Sequence, residues 1–253
     1  VKDENNITAS IVLYKEDMKT LQAAIDSFLG SPSSKKLFLI DNSPQDSISN
    51  QINDSRVQYV FTGKNLGFGK AHNLCIDLLK EESSKFHLIL NPDVRFESSV
   101  LETLATELKS NPNLAMIAPK VLFPNKGLQY TARKFPKILE LMMRFLGVSN
   151  TFTKKQEYRD QDLEIPFYPD FIHGNFLLFK TEDFLSLGGF DEHFFMYMED
   201  VDICKRLDRM GKRKMYFPKA TIYHEFRKGS SKKIKLFLIH LQSLLRYYKK
   251  WGF

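Results

Sequence analysis

Cysteine is almost missing from this 253-residue chain: Cys75 and Cys204 are the only two. They sit in unrelated contexts, which excludes a disulfide framework and a zinc-ligand pattern and fits a reducing compartment. No apolar run reaches roughly 18 residues, so no segment reads as a spanning helix, and none reads as a signal peptide. The glycine-punctuated stretch at 63–69 matches neither GxGxxG nor GxxxxGK[ST], which argues against a Rossmann cofactor and a P-loop. RRM, KH and zinc-finger patterns are lacking, so no nucleic acid is expected as partner. There is no internal repeat and no low-complexity tract. The length suits one large α/β domain, or one domain with a small appendage.

What is present is apolar and aromatic. Hydrophobic residues make up 43% of the chain, enough for a sizeable core, and 22 phenylalanines predict aromatic-rich clefts. The net charge of +7 is lopsided. From Cys204 to Phe253, 15 Lys/Arg face two acids, a net of +13, while the other 203 residues carry 22 basic and 28 acidic residues, a net of −6. A basic tail on an acidic body points to a directed electrostatic partner, such as phosphorylated lipid or an anionic membrane face.

Apolar runs alternate with helical spacings. Strands are predicted at Ile7–Leu13, Lys36–Ile40, Val57–Phe61, Phe86–Leu90 and Leu114–Ala118, with helices at Asp17–Leu29, around Ala71–Lys80 and at Glu97–Lys109. That order is the βαβ pattern of an α/β fold with a mostly parallel central sheet and flanking helices. The alternation weakens after Pro119. A helix at Lys137–Leu146, a polar loop at Ser149–Pro166, a strand at Phe176–Phe179 and a helix at Glu199–Met210 are predicted next. Short strands at Lys214–Phe217 and Thr221–Tyr223 and a basic helix at Lys232–Trp251 complete the chain.

Several stretches carry chemistry. Leu90-Asn-Pro-Asp-Val leaves a strand through Pro92, which ends sheet pairing and presses Asn91 toward extended geometry. Asn91 and Asp93 are thereby held at a strand's carboxyl end, where open α/β sheets bind ligands; a Pro-Asp turn capping the next helix accounts for the same residues. Asp41-Asn42 ends another strand, and can meet a base or ribose or open an Asx turn. Gly63–Gly69 lets backbone approach phosphate, or is plain turn chemistry. Glu199, Asp200 and Asp202 sit at a helix start, where the dipole alone favours acids. Asp200 shares a face with Ile203, Cys204 and Leu207, whereas Asp202 is expected to face solvent near Arg206 and Arg209. His224 is a packed residue, or joins Asp93 in a mixed oxygen/nitrogen site that Mn2+ or Mg2+ tolerates.

In order, IVLYKED, IDNSP, KNLGFGKAHN, LILNPDV, RKFP, HGNFLLFK, GGFDEHFFMYMEDVDICKRL and YHEFRKGSS span residues 11–231. Together they resemble the family 2 glycosyltransferases of the GT-A fold, bacterial O-antigen and capsule rhamnosyltransferases in particular. The resemblance implies a GT-A domain over 1–231, with a nucleotide-binding half at about 1–118 and a smaller acceptor/catalytic half at about 119–231. A basic amphipathic helix follows over 232–253. It implies that Asp41 and Asn42 contact the nucleotide, that Asn65 and Gly67 shape the donor pocket, and that Asn91-Pro92-Asp93 is the counterpart of the metal-binding DxD motif. Asn91 stands where many relatives carry Asp, which leaves Asp93 and His224 as the ligands of Mg2+ or Mn2+. Asp200 is then the general base and Glu199 orients the acceptor. Gly174 admits the sugar beside His173, and Arg133 of RKFP lies on the acceptor side.

Those implied roles make one inverting displacement. An acceptor hydroxyl attacks the anomeric carbon, the base removes its proton, and the metal, helped by Arg227 or Lys228, stabilises the leaving diphosphate. The implied donor is dTDP-L-rhamnose, with a UDP-sugar as the alternative. The implied acceptor is a polyprenyl-diphosphate-linked glycan, met in the cytoplasm at the inner face of the bacterial membrane. The tail fits an interfacial helix in peripheral membrane contact, or a helix packed on the domain with a solvated basic face. A sugar nucleotidyltransferase is the rival: it would share the scaffold and the acidic metal site, but release pyrophosphate from NTP and sugar phosphate.

Overall fold

A computed structural model describes residues 5–138, 150–225 and 234–252. The apolar runs of the first half form strands β1 (Ile7–Leu13), β2 (Ser34–Asp41), β3 (Val57–Phe61) and β4 (Phe86–Leu90), joined in the order β3-β2-β1-β4 by parallel ladders. Helix α1 (Met18–Leu29) links β1 to β2. It opens at Asp17, whose carboxylate accepts the Thr20 N–H, and it buries Leu21, Ala24, Ile25 and Phe28. The single helix expected around Ala71–Lys80 is two, α2 (Phe68–Asn73) and α3 (Ile76–Glu82). Between them the N–H groups of Leu74 and Cys75 bond three residues back, which tightens the turn and breaks the α register.

Beyond β4 the sheet becomes mixed. After β5 (Val94–Phe96) and α4 (Ser99–Ser110) come β6 (Leu114–Leu122), β7 (Leu128–Gln129), β8 (Ala132–Arg133), α5 (Asn150–Gln156), β9 (Phe171–Ile172), β10 (Phe176–Lys180) and α6 (Thr181–Ser186). Helix α7 (Glu199–Arg209), β11 (Arg213–His224) and α8 (Ile234–Trp251) end the described chain. Strand β10 inserts antiparallel between β4 and β6, β11 lies parallel to β6, and β5 pairs antiparallel with β11 at the edge. Strands β8 and β9 form a separate ribbon. The two short strands expected at Lys214–Phe217 and Thr221–Tyr223 are one strand with a register shift between Phe217 and Thr221. Pro218 lies in that shift, where it has no ladder donor to lose. Helix α5 occupies part of the stretch read as a polar loop. The helix expected at Lys137–Leu146 falls largely on 139–149, outside the described residues.

Alternation along the strands sorts the core onto two faces. Ile7, Ala9, Ile11 and Leu13 of β1 pack with Leu37, Leu39, Leu88 and Leu90 against α1 and α4. Phe38, Ile40, Ile89 and Phe179 pack on the other face with Phe184, Phe190, Ile203 and Tyr247. There β1 presents Thr8 and Ser10, and both find buried imidazoles. The Ser10 hydroxyl lies 2.8 Å from His72 Nδ1 and 2.9 Å from His87 Nε2, and that of Thr8 lies 3.0 Å from His87 Nδ1. Burial pushes His72 well below the usual imidazole range and His87 down to about 3, so both are neutral. Burial also pushes the free Cys75 and Cys204 thiols up to about 12, which leaves them unreactive at neutral pH.

Helix α8 docks on α7 through Tyr247, Tyr248 and Ser243. This corrects the expectation for Asp202, which is fully buried and not solvent-facing. It accepts from Trp251 Nε1 at 2.8 Å and pairs with Lys250 at 2.7 Å and Arg206 at 2.8 Å. Three donors compensate the desolvation that α8 imposes. Among the described residues, no helix is long and apolar enough to cross a membrane.

Candidate active site

The carboxyl ends of β2, β4 and β11 deliver Asp41 and Asn42, Asn91 and Asp93, and His224. Asp41, the last residue of β2, is buried. Its Oδ1 accepts the Ser43 N–H at 2.8 Å, an Asx turn, and its Oδ2 accepts the Tyr59 hydroxyl at 2.7 Å. Burial first, and then that bond to Asp41, raises the Tyr59 phenol above its ordinary value. Asn42 donates to the Gly67 carbonyl at 3.0 Å, and Asn65 Oδ1 accepts the Gly67 N–H at 2.9 Å. Asn42, Asn65 and Gly67 are thus laced into one rim. Gly67 has φ +89°, and a Cβ there would lie 2.2 Å from the Phe195 carbonyl oxygen, so close chain approach requires glycine.

Asp93 and His224 meet as the sequence reading required: Asp93 Oδ1 lies 3.2 Å from His224 Nε2. The ring's protonation follows from its neighbours. Gln129 Nε2 donates to the His224 carbonyl at 2.7 Å, so the Gln129 atom 2.9 Å from His224 Nδ1 is the oxygen Oε1, an acceptor. Nδ1 therefore carries a proton, and Nε2 is turned to the Asp93 carboxylate. A ring nitrogen and a carboxylate oxygen so placed are the mixed ligand types that a divalent cation such as Mn2+ accepts. The Asn175 amide lies 3.3 Å from the same Nδ1. With Nδ1 protonated, the amide oxygen belongs on that side, and turning the amide gives Oδ1 the partner it otherwise lacks. Among the described residues no group of three or more His, Cys, Asp or Glu could hold a metal, so this pair would share its cation with substrate oxygens, as Mg2+ sites commonly do.

Asp200 stands at the start of α7. Tyr197 and Met198 before it both have φ near +70°, an uncommon conformation that turns the chain sharply into the helix. Asp200 Oδ2 lies 3.3 Å from His173 Nδ1 and 3.3 Å from the Gly174 N–H. Its neighbour Glu199 is buried, with Oε2 lacking any partner. Burial, and then the Asp200 charge, push the Glu199 carboxyl well above its usual range. One carboxyl is kept protonated beside another that opens to solvent, a pairing that can divide acid and base work.

The segment His173-Gly174-Asn175 joins the two clusters. His173 and Gly174 touch Asp200, Asn175 touches His224, and the Asn175 carbonyl accepts the Asn91 N–H at 3.0 Å. Arg133 sits in the adjoining β8–β9 ribbon. It pairs with the buried Glu157 at 2.9 Å, which also binds Arg159 Nε at 2.7 Å. Two guanidinium groups thus share the Glu157 carboxylate. Sequence reasoning missed Gln129, Asn175 and Glu157. Asn175 lay inside the quoted HGNFLLFK stretch, whereas Gln129 and Glu157 gave no local signal.

The fold defines the class. The chain superposes on a crystal structure of GalNAc-T7 with UDP, GalNAc and Mn2+ with TM-score 0.67, over 88% of this chain and 43% of that one, at 14% identity. It also superposes on the mannosyltransferase PcManGT from Pyrobaculum calidifontis in complex with GDP-Man and Mn2+, with TM-score 0.64, over 97% of this chain and 63% of that one, at 14% identity. It has the GT-A fold. Residues 8–184 match the family described as Glycosyl transferase family 2, and the chain belongs to that family. Rhamnosyltransferase WbbL of Escherichia coli is 31% identical over 189 residues, 72% of this chain and 69% of that protein. N-acetylglucosaminyl-diphospho-decaprenol L-rhamnosyltransferase of Mycobacterium tuberculosis is 30% identical over 197 residues, 73% of this chain. The match spans 62% of the mycobacterial protein's length.

Proposed function

We propose that this protein is an inverting glycosyltransferase of cell-surface polysaccharide synthesis. It takes L-rhamnose from dTDP-L-rhamnose and places it on a glycan acceptor carried by a polyprenyl diphosphate. The observation that carries this reading is the three-residue segment His173-Gly174-Asn175, which touches the Asp200 carboxylate on one side and the His224–Asp93 pair on the other. A proton acceptor and a cation site so joined suit displacement of a nucleoside diphosphate by a hydroxyl. The relatives' names support rhamnose and a lipid-linked acceptor. The Mn2+ in both structural neighbours supports a divalent cation, Mn2+ or Mg2+.

Asp93 and His224 Nε2 would hold that cation, which when bound offsets the charge of the leaving diphosphate. Asn91 contributes an uncharged amide, while Asp41, Asn42, Asn65 and Gly67 line the donor side. Asp200 takes the acceptor hydroxyl's proton, oriented by His173 and the Gly174 N–H. Glu199, kept protonated, donates a hydrogen bond to an acceptor oxygen, and Arg133 adds positive charge on that side. The donor half is assigned to about 1–118 and the acceptor half to about 119–231, and helix α8, Ile234–Trp251, faces the inner surface of the cytoplasmic membrane. Arg227 and Lys228, expected beside the diphosphate, lie outside the described residues.

A thermal-shift panel of dTDP-L-rhamnose, UDP-glucose and UDP-galactose, with and without Mn2+ or Mg2+, tests the reading alongside mass spectrometry of the products. The expected result is metal-dependent stabilisation by dTDP-L-rhamnose and glycosidic product. Stabilisation by a UDP-sugar alone would overturn the donor. Pyrophosphate release from NTP and sugar phosphate would overturn the reaction.

A further inference from the structure

Helix α8 has two faces. Ser243, Tyr247 and Tyr248 are buried, with the Ser243 hydroxyl donating to the Met196 carbonyl at 2.8 Å and that of Tyr248 to the Pro136 carbonyl at 3.0 Å. On the side away from Ser243 and Tyr247, a side that Tyr248 borders, Ile234, Leu238, Leu241 and Leu245 follow one another at steps of four, three and four residues, which puts them in one row. They are 75%, 56%, 39% and 63% exposed. A contiguous aliphatic row left in water on a helix docked along its other side marks an interaction surface.

We propose that this row is the face by which the protein rests on an anionic lipid bilayer; the inference deepens the lipid-linked acceptor reading and rests on it. The charges of α8 select the partner. The helix carries Lys235, Arg246, Lys249 and Lys250 and no acid. Lys235 lies three residues before Leu238 and Lys249 one turn beyond Leu245, so both exposed lysines flank the row. Anionic headgroups meet them while the aliphatic side chains enter the acyl boundary. A second copy of the helix would set lysine against lysine with no carboxylate to answer.

The helix also fixes the angle of approach. Trp251 and Lys250 bind Asp202 of α7, the helix that opens with Glu199 and Asp200. Ile234 comes ten positions after His224. The bilayer plane is therefore set relative to the cleft, as an acceptor whose diphosphate sits among headgroups requires.

Co-sedimentation of the chain with vesicles of phosphatidylglycerol or phosphatidylcholine, without sugar nucleotide, tests the proposal. Binding to phosphatidylglycerol vesicles is expected, weakened by salt, and reduced about tenfold or more in the Leu238→Gln/Leu241→Gln/Leu245→Gln variant with its melting temperature retained. Lys235→Glu/Lys249→Glu, made on the exposed surface as a second variant, is expected to lose the preference for phosphatidylglycerol. An unsubstituted chain that ignores both vesicles, or a triple variant that binds as well as the parent, overturns the proposal. A dimer in analytical ultracentrifugation that the triple variant dissolves, without vesicle binding, assigns the row to a second copy and overturns it too. Because no donor is present, failure of sugar transfer leaves the vesicle result intact. Conversely, transfer to a water-soluble acceptor by a chain that binds no vesicle sinks the membrane face alone.

Discussion

Trp251 and Asp202 lie 49 residues apart in the chain and 2.8 Å apart in space, the indole N–H of one ending on the buried carboxylate of the other. Lys250 and Arg206 complete the shell of Asp202. Removing the carboxylate leaves the Trp251 N–H and the Arg206 Nε–H without their acceptor, while Lys250 keeps Asp191. Asp202→Ala should therefore cost about 3–5 kcal/mol. Trp251→Phe, which keeps the ring and loses the N–H, should cost about 1–3 kcal/mol. Urea unfolding of the variants measures both, and equal midpoints for Asp202→Ala and the parent would show the seam to be idle.

Asp200→Asn keeps the shape at the start of α7 and loses the proton acceptor. Transfer should fall by about 10²–10⁴ while sugar-nucleotide binding stays within a few-fold. Single-turnover rates and calorimetric donor titration separate the two effects. Near-normal turnover would remove Asp200 from the role of base.

Gln129 acts through His224, not on substrate. Gln129→Leu loses the acceptor that fixes the imidazole proton on Nδ1, so Mn2+ affinity should fall about 10–100-fold. Gln129→Glu, which retains an acceptor at that place, should recover most of it. Metal titration in the presence of donor is the readout, and a purely structural role would lower the melting temperature without moving that affinity.

The buried imidazoles predict acid sensitivity with a definite sign. His72 and His87 stay neutral in the fold, and His87 resists protonation down to about pH 3. The unfolded chain takes up those protons near pH 6.5, so it binds more protons than the native state below that value. Stability is whole above it and declines as pH falls, by up to about 1.4 kcal/mol per pH unit for each histidine. Glu199, with its raised value, works in the opposite sense at mildly acid pH. Urea midpoints between pH 7.5 and 5 in the Glu199→Gln background isolate the histidines, and a flat profile there would contradict their neutrality.

The first half of the fold was legible because β1 to β4 and their helices are local and strongly periodic. Asp93 and His224 were legible because one lies in the turn just after β4 and the other ends β11, at a rim where side chains from distant segments meet. The sequence could not reveal where β10 inserts, since pairing order leaves no periodic trace. Asp202 was misread for a similar reason. Its own helix places it near Arg206, as expected, but the helix that covers it begins more than thirty residues later. Gln129 escaped notice because a glutamine in a two-residue strand carries no signal until His224 is seen beside it.

Strand β10 comes late in the chain, yet it lies hydrogen-bonded along the whole of β4, from Phe176 opposite Leu90 to Lys180 opposite Phe86. A fragment cut after Ala118 would therefore expose a row of unpaired amides on a fully buried strand at the centre of the molecule, a template for self-association. Residues 1–118 therefore cannot be lifted out as a free-standing module. Any chimera that swaps one substrate specificity for another must take β10 along with the strands it bridges.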